Sequence, residues 1–178
     1  MVYNGILEGK YVNLRSVEEK DAEFTLSLRQ DPILTKYLPK LDITLEQQIS
    51  WIRKQRNLEG DYYFLIESKD GKNIGVIGVY DVKNDCAETG RIAVVGSSFE
   101  SIEAQLLSFD FAFDVLKLEK TVNYVMADNA HALRFSQLFG SSSSEPYMDK
   151  DGHVRIDGVI TKEAFFRSRN KIVKMLYR

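Results

Sequence analysis

Apolar residues along this chain change their spacing several times, and each change marks a new element. Val12 and Leu14 alternate with polar neighbours over residues 11–15, the period of a strand with one buried face. Ser16-Val17-Glu18-Glu19 then has capping-box spacing, a hydroxyl cap with Glu at the third position, and predicts a helix to about Arg29. That helix must stop before Asp31-Pro32, because the residue before a proline is pushed out of the helical region. Pro32 and Pro39 bracket a short segment. Thr44 and Gln47 repeat the capping device, and Ile49, Trp51 and Ile52 supply apolar positions for a second helix ending near Leu58.

Strands follow at residues 62–67, 74–82 and 87–95, joined by hairpin signals at Asp70-Gly71 and Asn84-Asp85. The second of these strands has apolar residues on both faces. Residues 101–116 carry Ile102, Leu106, Leu107, Phe109, Phe111 and Phe113, apolar nearly all round, so this helix should be buried across the sheet. A strand at 121–127, a helix at 129–139 with Gly140 as its C-cap, a hairpin around Asp151-Gly152 and a helix from Thr161 complete the order. The pattern is β-α-α-β-β-β-α-β-α-β-β-α, a mixed α/β fold around one sheet. With no internal repeat and no Pro/Gly linker, residues 1–178 are expected to form a single domain. Ser141 to Ser144 reads as a solvated loop. The basic residues Arg167, Arg169, Lys171, Lys174 and Arg178 read as the solvated face of the last helix or, alternatively, an anion-attracting patch.

Composition narrows the class. At 178 residues, 44% apolar and 28% charged, the chain can build a core without staples, since this length buries about 70% of the unfolded surface. One cysteine makes neither an internal disulfide nor a cysteine-rich zinc site, which suits a reducing compartment. No apolar run of signal-peptide or membrane-spanning length occurs, and a net charge of −2 gives no global reason to expect nucleic acid. The expectation is a cytoplasmic protein with no membrane or nucleic-acid partner, as monomer or homodimer.

Metal is not expected: His131 and His153 are far apart in sequence and neither has a Cys or carboxylate at ligand spacing. Gly75 and Gly78 sit inside a strand pattern and read as packing glycines rather than a nucleotide loop. Cys86 stands beside Asp85 and Glu88, an acidic setting that disfavours a thiolate nucleophile.

The segment from Ala87 to Gly140 carries a resemblance. Ala87-Glu88-Thr89-Gly90-Arg91-Ile92-Ala93-Val94-Val95-Gly96 resembles the fourth strand of the GCN5-related N-acetyltransferase (GNAT) family. Phe111 to Lys120 resembles the end of its acetyl-CoA-binding helix, and Asn129 to Gly140 matches its Asn-x-x-Ala-x-x-x-(Tyr/Ser)-x-x-x-Gly helix. The opening Gly9-Lys10-Tyr11-Val12-Asn13-Leu14-Arg15 resembles the branch that acetylates ribosomal protein N-termini. The resemblance implies a GNAT-like α/β fold: a mixed central sheet, splayed fourth and fifth strands, and helices on both faces. It implies acetyl-CoA as co-substrate, seated between the strands at 87–95 and 121–127, and direct acetyl transfer to a primary amine on a small molecule or peptide (an amino sugar or a protein N-terminus).

Roles carry over residue by residue. Glu88 takes the family's acidic position and would be the base that deprotonates the amine, or else a plain strand carboxylate. Val94 would offer an amide to the thioester oxygen. Ser136, two turns past Asn129 on the same helix face, would donate to the leaving sulfur, or else be a surface serine. Asn129 would cap that helix and bond the cofactor's backbone. Val95 would also bind the cofactor, whose diphosphate would point at Gly96 to Ser101, with Ser97, Ser98 and Ser101 as a small anion nest. Here the chain departs from the family: Gly96-Ser97-Ser98-Phe99-Glu100-Ser101-Ile102-Glu103 has no Gly-x-Gly and no Arg or Lys, and the connection is shortened. Glu100 and Glu103 are expected to bring negative charge to the diphosphate. The alternative is therefore a non-catalytic GNAT-fold protein with a degenerate loop that binds a ligand or partner. For the acceptor pocket, Glu18, Glu19, Asp21, Tyr37, Trp51, Tyr62, Tyr63 and Tyr147 form an expected acidic and aromatic lining.

Overall fold

The computed structural model describes every residue except Pro39, so the segment expected between Pro32 and Pro39 lies partly outside the described residues. The strands are β1 (Leu7–Glu8), β2 (Val12–Ser16), β3 (Tyr62–Ser68), β4 (Asn73–Lys83), β5 (Cys86–Val94), β6 (Lys120–Met126), β7 (Ser142–Ser143), β8 (Tyr147–Met148) and β9 (Val154–Thr161). The helices are α1 (Ala22–Gln30), α2 (Leu45–Asn57), α3 (Ser98–Asp110), α4 (Ala130–Leu138) and α5 (Lys162–Leu176). All the strands join one sheet in the order β1-β2-β3-β4-β5-β6-β9-β7, with β8 also on β9. Among the described residues, only β5 and β6 pair in parallel. This is the expected α/β GNAT-like architecture.

Strand alternation divides the core in two. From β3, Phe64 and Ile66 face a cluster with Phe109, Phe111, Phe113, Phe139 and Phe165, under α3 and α5. Tyr63 and Leu65 face the other way, to Val17, Leu28 and Ile52 under α1 and α2. Residues buried on both faces explain why β3 and β4 read as nearly continuous apolar runs. Phe111 is met edge-on by Tyr3, Tyr62 and Phe64 at 5.1, 5.0 and 5.1 Å. Each such buried ring contributes ~2–3 kcal/mol. A π-helical turn, Phe111–Val115, continues α3, and Arg169 of α5 grips Asp110 with two bonds of 2.6 and 2.8 Å.

Local signals placed most boundaries. Thr44 caps α2 with Gln47 in a complete capping box, and α1 ends at Gln30, just before Asp31-Pro32. Ser16 is a correction: it closes β2 instead of starting a helix. Its hydroxyl is engaged with the Tyr3 backbone at 3.0 Å in both directions, and its backbone pairs with Phe64. Glu18 and Asp21 form the box instead, at a 3-10 turn before α1. The central helix begins earlier than expected, because Ser97 and Glu100 form its capping box. Ser142 and Ser143, expected in a loop, pair with Val159 and Gly158 as β7.

Glu103 corrects the picture of an apolar central helix. It lies on α3 with no exposed surface. Its carboxylate accepts from the Lys10, Tyr11 and Val12 amides at 2.8, 2.6 and 2.8 Å and from the Tyr177 hydroxyl at 2.7 Å. Gly9 is required beside it, since a Cβ there would meet Oε2 at 2.3 Å. Glu103 is therefore fully committed inside the fold, and the expectation that it repels a diphosphate does not hold. Replacing it with Ala strands three amides around a buried void, so Glu103→Ala should lower urea-measured stability by about 3–5 kcal/mol. Glu100→Ala, which removes only half of an exposed cap, should cost about 1 kcal/mol or less. Equal, small losses in the two variants would contradict this account.

Candidate active site

The register of β5 with β6 ends almost as soon as it begins. Cys86, Ala87 and Glu88 pair with Lys120, Thr121 and Val122, and beyond them the strands part. β6 continues along β9 for seven pairs, while β5 stays on β4. Between the pairs Gly78–Gly90 and Val76–Ala93, Arg91 and Ile92 oppose the single residue Ile77, a β-bulge. Arg91 adopts φ 52°, in the left-handed region that a non-glycine residue enters only under local constraint. The bulge bends β5 away from β6, and a cleft of about 1010 Å3 opens between them.

Glu88, Asn129 and Ser136 all line this cleft. Glu88 is half-buried on β5, and burial pushes its carboxyl above the usual carboxylate range. The Tyr80 hydroxyl donates to Glu88 and opposes that shift; Asp81 adds to it, while Arg91 and Arg155 also oppose it. Asn129 caps α4, its side-chain oxygen accepting from the Ala132 amide at 3.1 Å. Ser136, two turns on, accepts from the Asn123 side-chain amide at 3.3 Å. A hydroxyl that accepts there keeps its own proton for another partner.

Val94 to Ser101 do not line the cleft; they lie where β5 passes into α3. The Val95 amide donates to the Ile74 carbonyl at 2.8 Å, so it is not available to a ligand. Successive amides along a strand point to opposite sides, and the Val94 amide therefore faces away from β4, toward the opened side. At the start of α3, Glu100 accepts from the amide and hydroxyl of Ser97, both at 2.7 Å. Ser101 gives its hydroxyl to the Ser97 carbonyl at 3.0 Å. Gly96, Ser98 and the first turn of α3 remain as the anion-attracting end of the helix, with the Glu100 carboxylate lying across it.

The expected acceptor lining is corrected. Asp21 is held by Arg15 at 2.7 and 2.9 Å and Glu19 by Arg53 at 2.9 and 2.7 Å, while Glu18 pairs with Lys20 at 2.5 Å. Tyr63 is buried core, and of the residues expected there only Tyr37 reaches the cleft. The polar lining consists instead of Lys36, Arg91, Arg155 and His153 with Glu88 and Asp128. Tyr80, Arg91, Asn123 and Arg155 went unnoticed in the sequence. The paired glycines, Gly78 and Gly90, were the one signal that something crosses the strands here.

The acetyltransferase (GNAT) domain family matches residues 12–141. The chain belongs to the GNAT family. It is accordingly an N-acetyltransferase of a family that uses acetyl-CoA. Acetyltransferase PseH of Campylobacter jejuni is a GNAT-sized relative, 24% identical over 130 residues, which are 72% of this chain and 81% of PseH. Apo FdhC, described as a nucleotide-linked sugar GNAT, has the same fold with a TM-score of 0.82 at 27% identity, covering 98% of this chain and 99% of FdhC. Spermidine N-acetyltransferase from Vibrio cholerae, solved with CoA and spermine, shares the GNAT fold at TM-score 0.79 and 16% identity, covering 89% of this chain and 99% of that one. Among the described residues, no helix is long and apolar enough to cross a membrane.

Of the two glutamates once expected near the diphosphate, Glu100 alone lies at the helix start. Glu100→Gln keeps the capping geometry and removes the charge. Acetyl-CoA should then bind two- to five-fold more tightly at low salt, equivalent to the ~0.3–1 kcal/mol of one charge at a helix terminus. The gain should fade in high salt. Calorimetric titration of both proteins checks it, and an unchanged affinity would mean that Glu100 swings clear when the ligand arrives.

Proposed function

We propose that this protein transfers the acetyl group of acetyl-CoA directly to the primary amine of a nucleotide-linked amino sugar. The observation that carries the acceptor is the likeness to FdhC, described as a nucleotide-linked sugar GNAT, over nearly the whole chain. Lys36, Arg91 and Arg155 line the cleft with Glu88 and Asp128, but Arg91 is paired with Asp61 and Arg155 with Asp149, so Lys36 is the cation this lining would offer a phosphate. The opening Gly9-Lys10-Tyr11, which suggested acetylation of protein N-termini, has a structural reason of its own in the Glu103 contact.

Acetyl-CoA fits the parted strands, where backbone groups of β5 and β6 have lost each other as partners. When bound it supplies the activated acetyl group. The Val94 amide, facing the opened side about 20 Å along β5 from Glu88 and outside the cleft lining, would pair with the cofactor's extended arm rather than polarise the thioester carbonyl. Glu88 would accept the proton of the acceptor amine, directly or through water. Ser136, accepting from Asn123, would direct its hydroxyl proton to the departing sulfur. Asn129 would fix the start of α4 and meet the cofactor's amide backbone, while Gly96, Ser97, Ser98 and Ser101 would flank the diphosphate.

Thiol release with acetyl-CoA, measured across a panel of amines, tests the acceptor. A uridine-diphosphate-linked amino sugar should exceed the free amino sugar and spermidine in kcat/KM by about 10²-fold, through binding of the part remote from the reacting amine. Preference for a peptide N-terminus would return the protein to the ribosomal-type reading. A separate assay tests the base: Glu88→Gln should lower the rate by about 10²–10⁴ with acetyl-CoA affinity little changed. Because the Glu88 pKa is raised in the fold, its ionised form opposes folding at neutral pH. Glu88→Gln should thus be at least as stable as the native protein there, and any advantage should vanish as pH falls and Glu88 takes its proton.

A further inference from the structure

We propose that Tyr80 is the positioning residue of the catalytic base: laid across two facing glycines and clamped by Arg91, it holds the Glu88 carboxylate in one orientation. This rests on Glu88 as the base. Tyr80 and Glu88 are direct partners across β4 and β5, and Gly78 and Gly90 are the next pair along the same face. A Cβ on Gly90 would meet the Tyr80 hydroxyl at 2.8 Å, and one on Gly78 would meet its ring at 3.2 Å. The ring therefore occupies the space that two side chains would fill, and its hydroxyl reaches Glu88 Oε1.

Arg91 completes the clamp through the bulge. In a regular strand Arg91 would point to the face opposite Gly90. At φ 52° its side chain comes round instead to the face of Gly78, where a Cβ would meet its Cδ at 3.3 Å. The guanidinium then lies 3.9 Å from the centre of the Tyr80 ring, a cation–π contact, and is fixed at 2.7 Å by the buried Asp61. Asp61 in turn accepts from Gln55 of α2 at 3.0 Å. One line of contacts thus runs from α2 through Asp61, Arg91 and Tyr80 to Glu88. With Oε1 held by Tyr80, Oε2 is the oxygen left for the amine.

The charged and titratable groups around Glu88 come from four strands: Tyr80 and Asp81 on β4, Arg91 on β5, Tyr124 on β6 and Arg155 on β9. Tyr80 is the one that hydrogen-bonds to it. A phenol that donates favours the ionised carboxylate, and burial holds the Tyr80 proton on its oxygen, so the donor is permanent across the working range.

The test uses Tyr80→Phe, which keeps the ring and the Arg91 stack, and Gly90→Ala, which keeps the hydroxyl but pushes it off Glu88. In both, the acid limb of kcat/KM against pH should move upward by about one unit, a ~10-fold loss below neutrality that recovers at alkaline pH. Acetyl-CoA affinity should stay unchanged. Carbon-13 NMR of labelled glutamate should record the same upward displacement in the Glu88 titration of Tyr80→Phe, independently of turnover. A Glu88 titration unchanged in Tyr80→Phe, or a rate loss uniform at all pH values, overturns the proposal. Failure of the base itself reads differently: Glu88→Gln would then keep its rate and its acid limb, whatever Tyr80 does to the carboxylate by NMR.

Discussion

Parallel strands that stop pairing after Glu88 and Val122 leave two rows of amides and carbonyls facing across open space. Sealed away from water, each such group would cost about 1–3 kcal/mol. Here the space is a cleft that water enters, and an extended ligand can replace that water along β5 and β6. The separation is enforced from both sides. β4 holds β5 through the bulge at Arg91, and β9 holds β6 through seven pairs. Neither strand can relax toward the other without breaking its stronger partnership.

This division also separates the two groups proposed to move protons. Glu88 pairs with Val122, so its side chain shares a face with Val122 and Tyr124, and the next residue, Asn123, points to the opposite face, toward α4. The carboxylate proposed as base is therefore held from the α1–α2 side of the sheet, through Tyr80 and Arg91. The Ser136 hydroxyl, proposed to serve the sulfur, is held from the α4 side, through Asn123. An amine and a thioester meeting in the gap would approach these groups from different directions, and the sheet keeps the groups apart. Lys36 reaches the cleft from a loop and Arg155 from the start of β9.

Much of the fold was legible because its signals are short. Thr44 with Gln47, Asn129 with Ala132, and Asp31-Pro32 act over three residues or fewer, and each delimited its helix as read. Glu88, Asn129 and Ser136 were found by a motif, and they do meet in one cleft. What stayed hidden depends on partners far along the chain. Ser16 had the spacing of a cap, but its hydroxyl was claimed by Tyr3. Glu103 looked like a charge at a helix start, but its partners are residues 10 to 12 and Tyr177. The acidic acceptor lining failed for a similar reason: Glu19 and Asp21 were already neutralised by Arg53 and Arg15. Tyr80 and Arg91 could not be read at all without the register that sets Gly78 opposite Gly90.

The Glu103 contact has a consequence for the order in which the molecule can assemble during synthesis. Its three amide partners precede it, so as the chain emerges the central helix can dock against β2 once residue 103 is free. Tyr177 arrives 74 positions later. Until then the carboxylate keeps one side open to water, and a hydrated charge resists the closing of the layer around it. Arrival of α5 brings the phenol of Tyr177, just past its end, to the carboxylate's remaining acceptor site. The last helix to be made thus works as the latch on the first tertiary contact of the central one, and a chain stalled before it would hold that helix docked but unsealed.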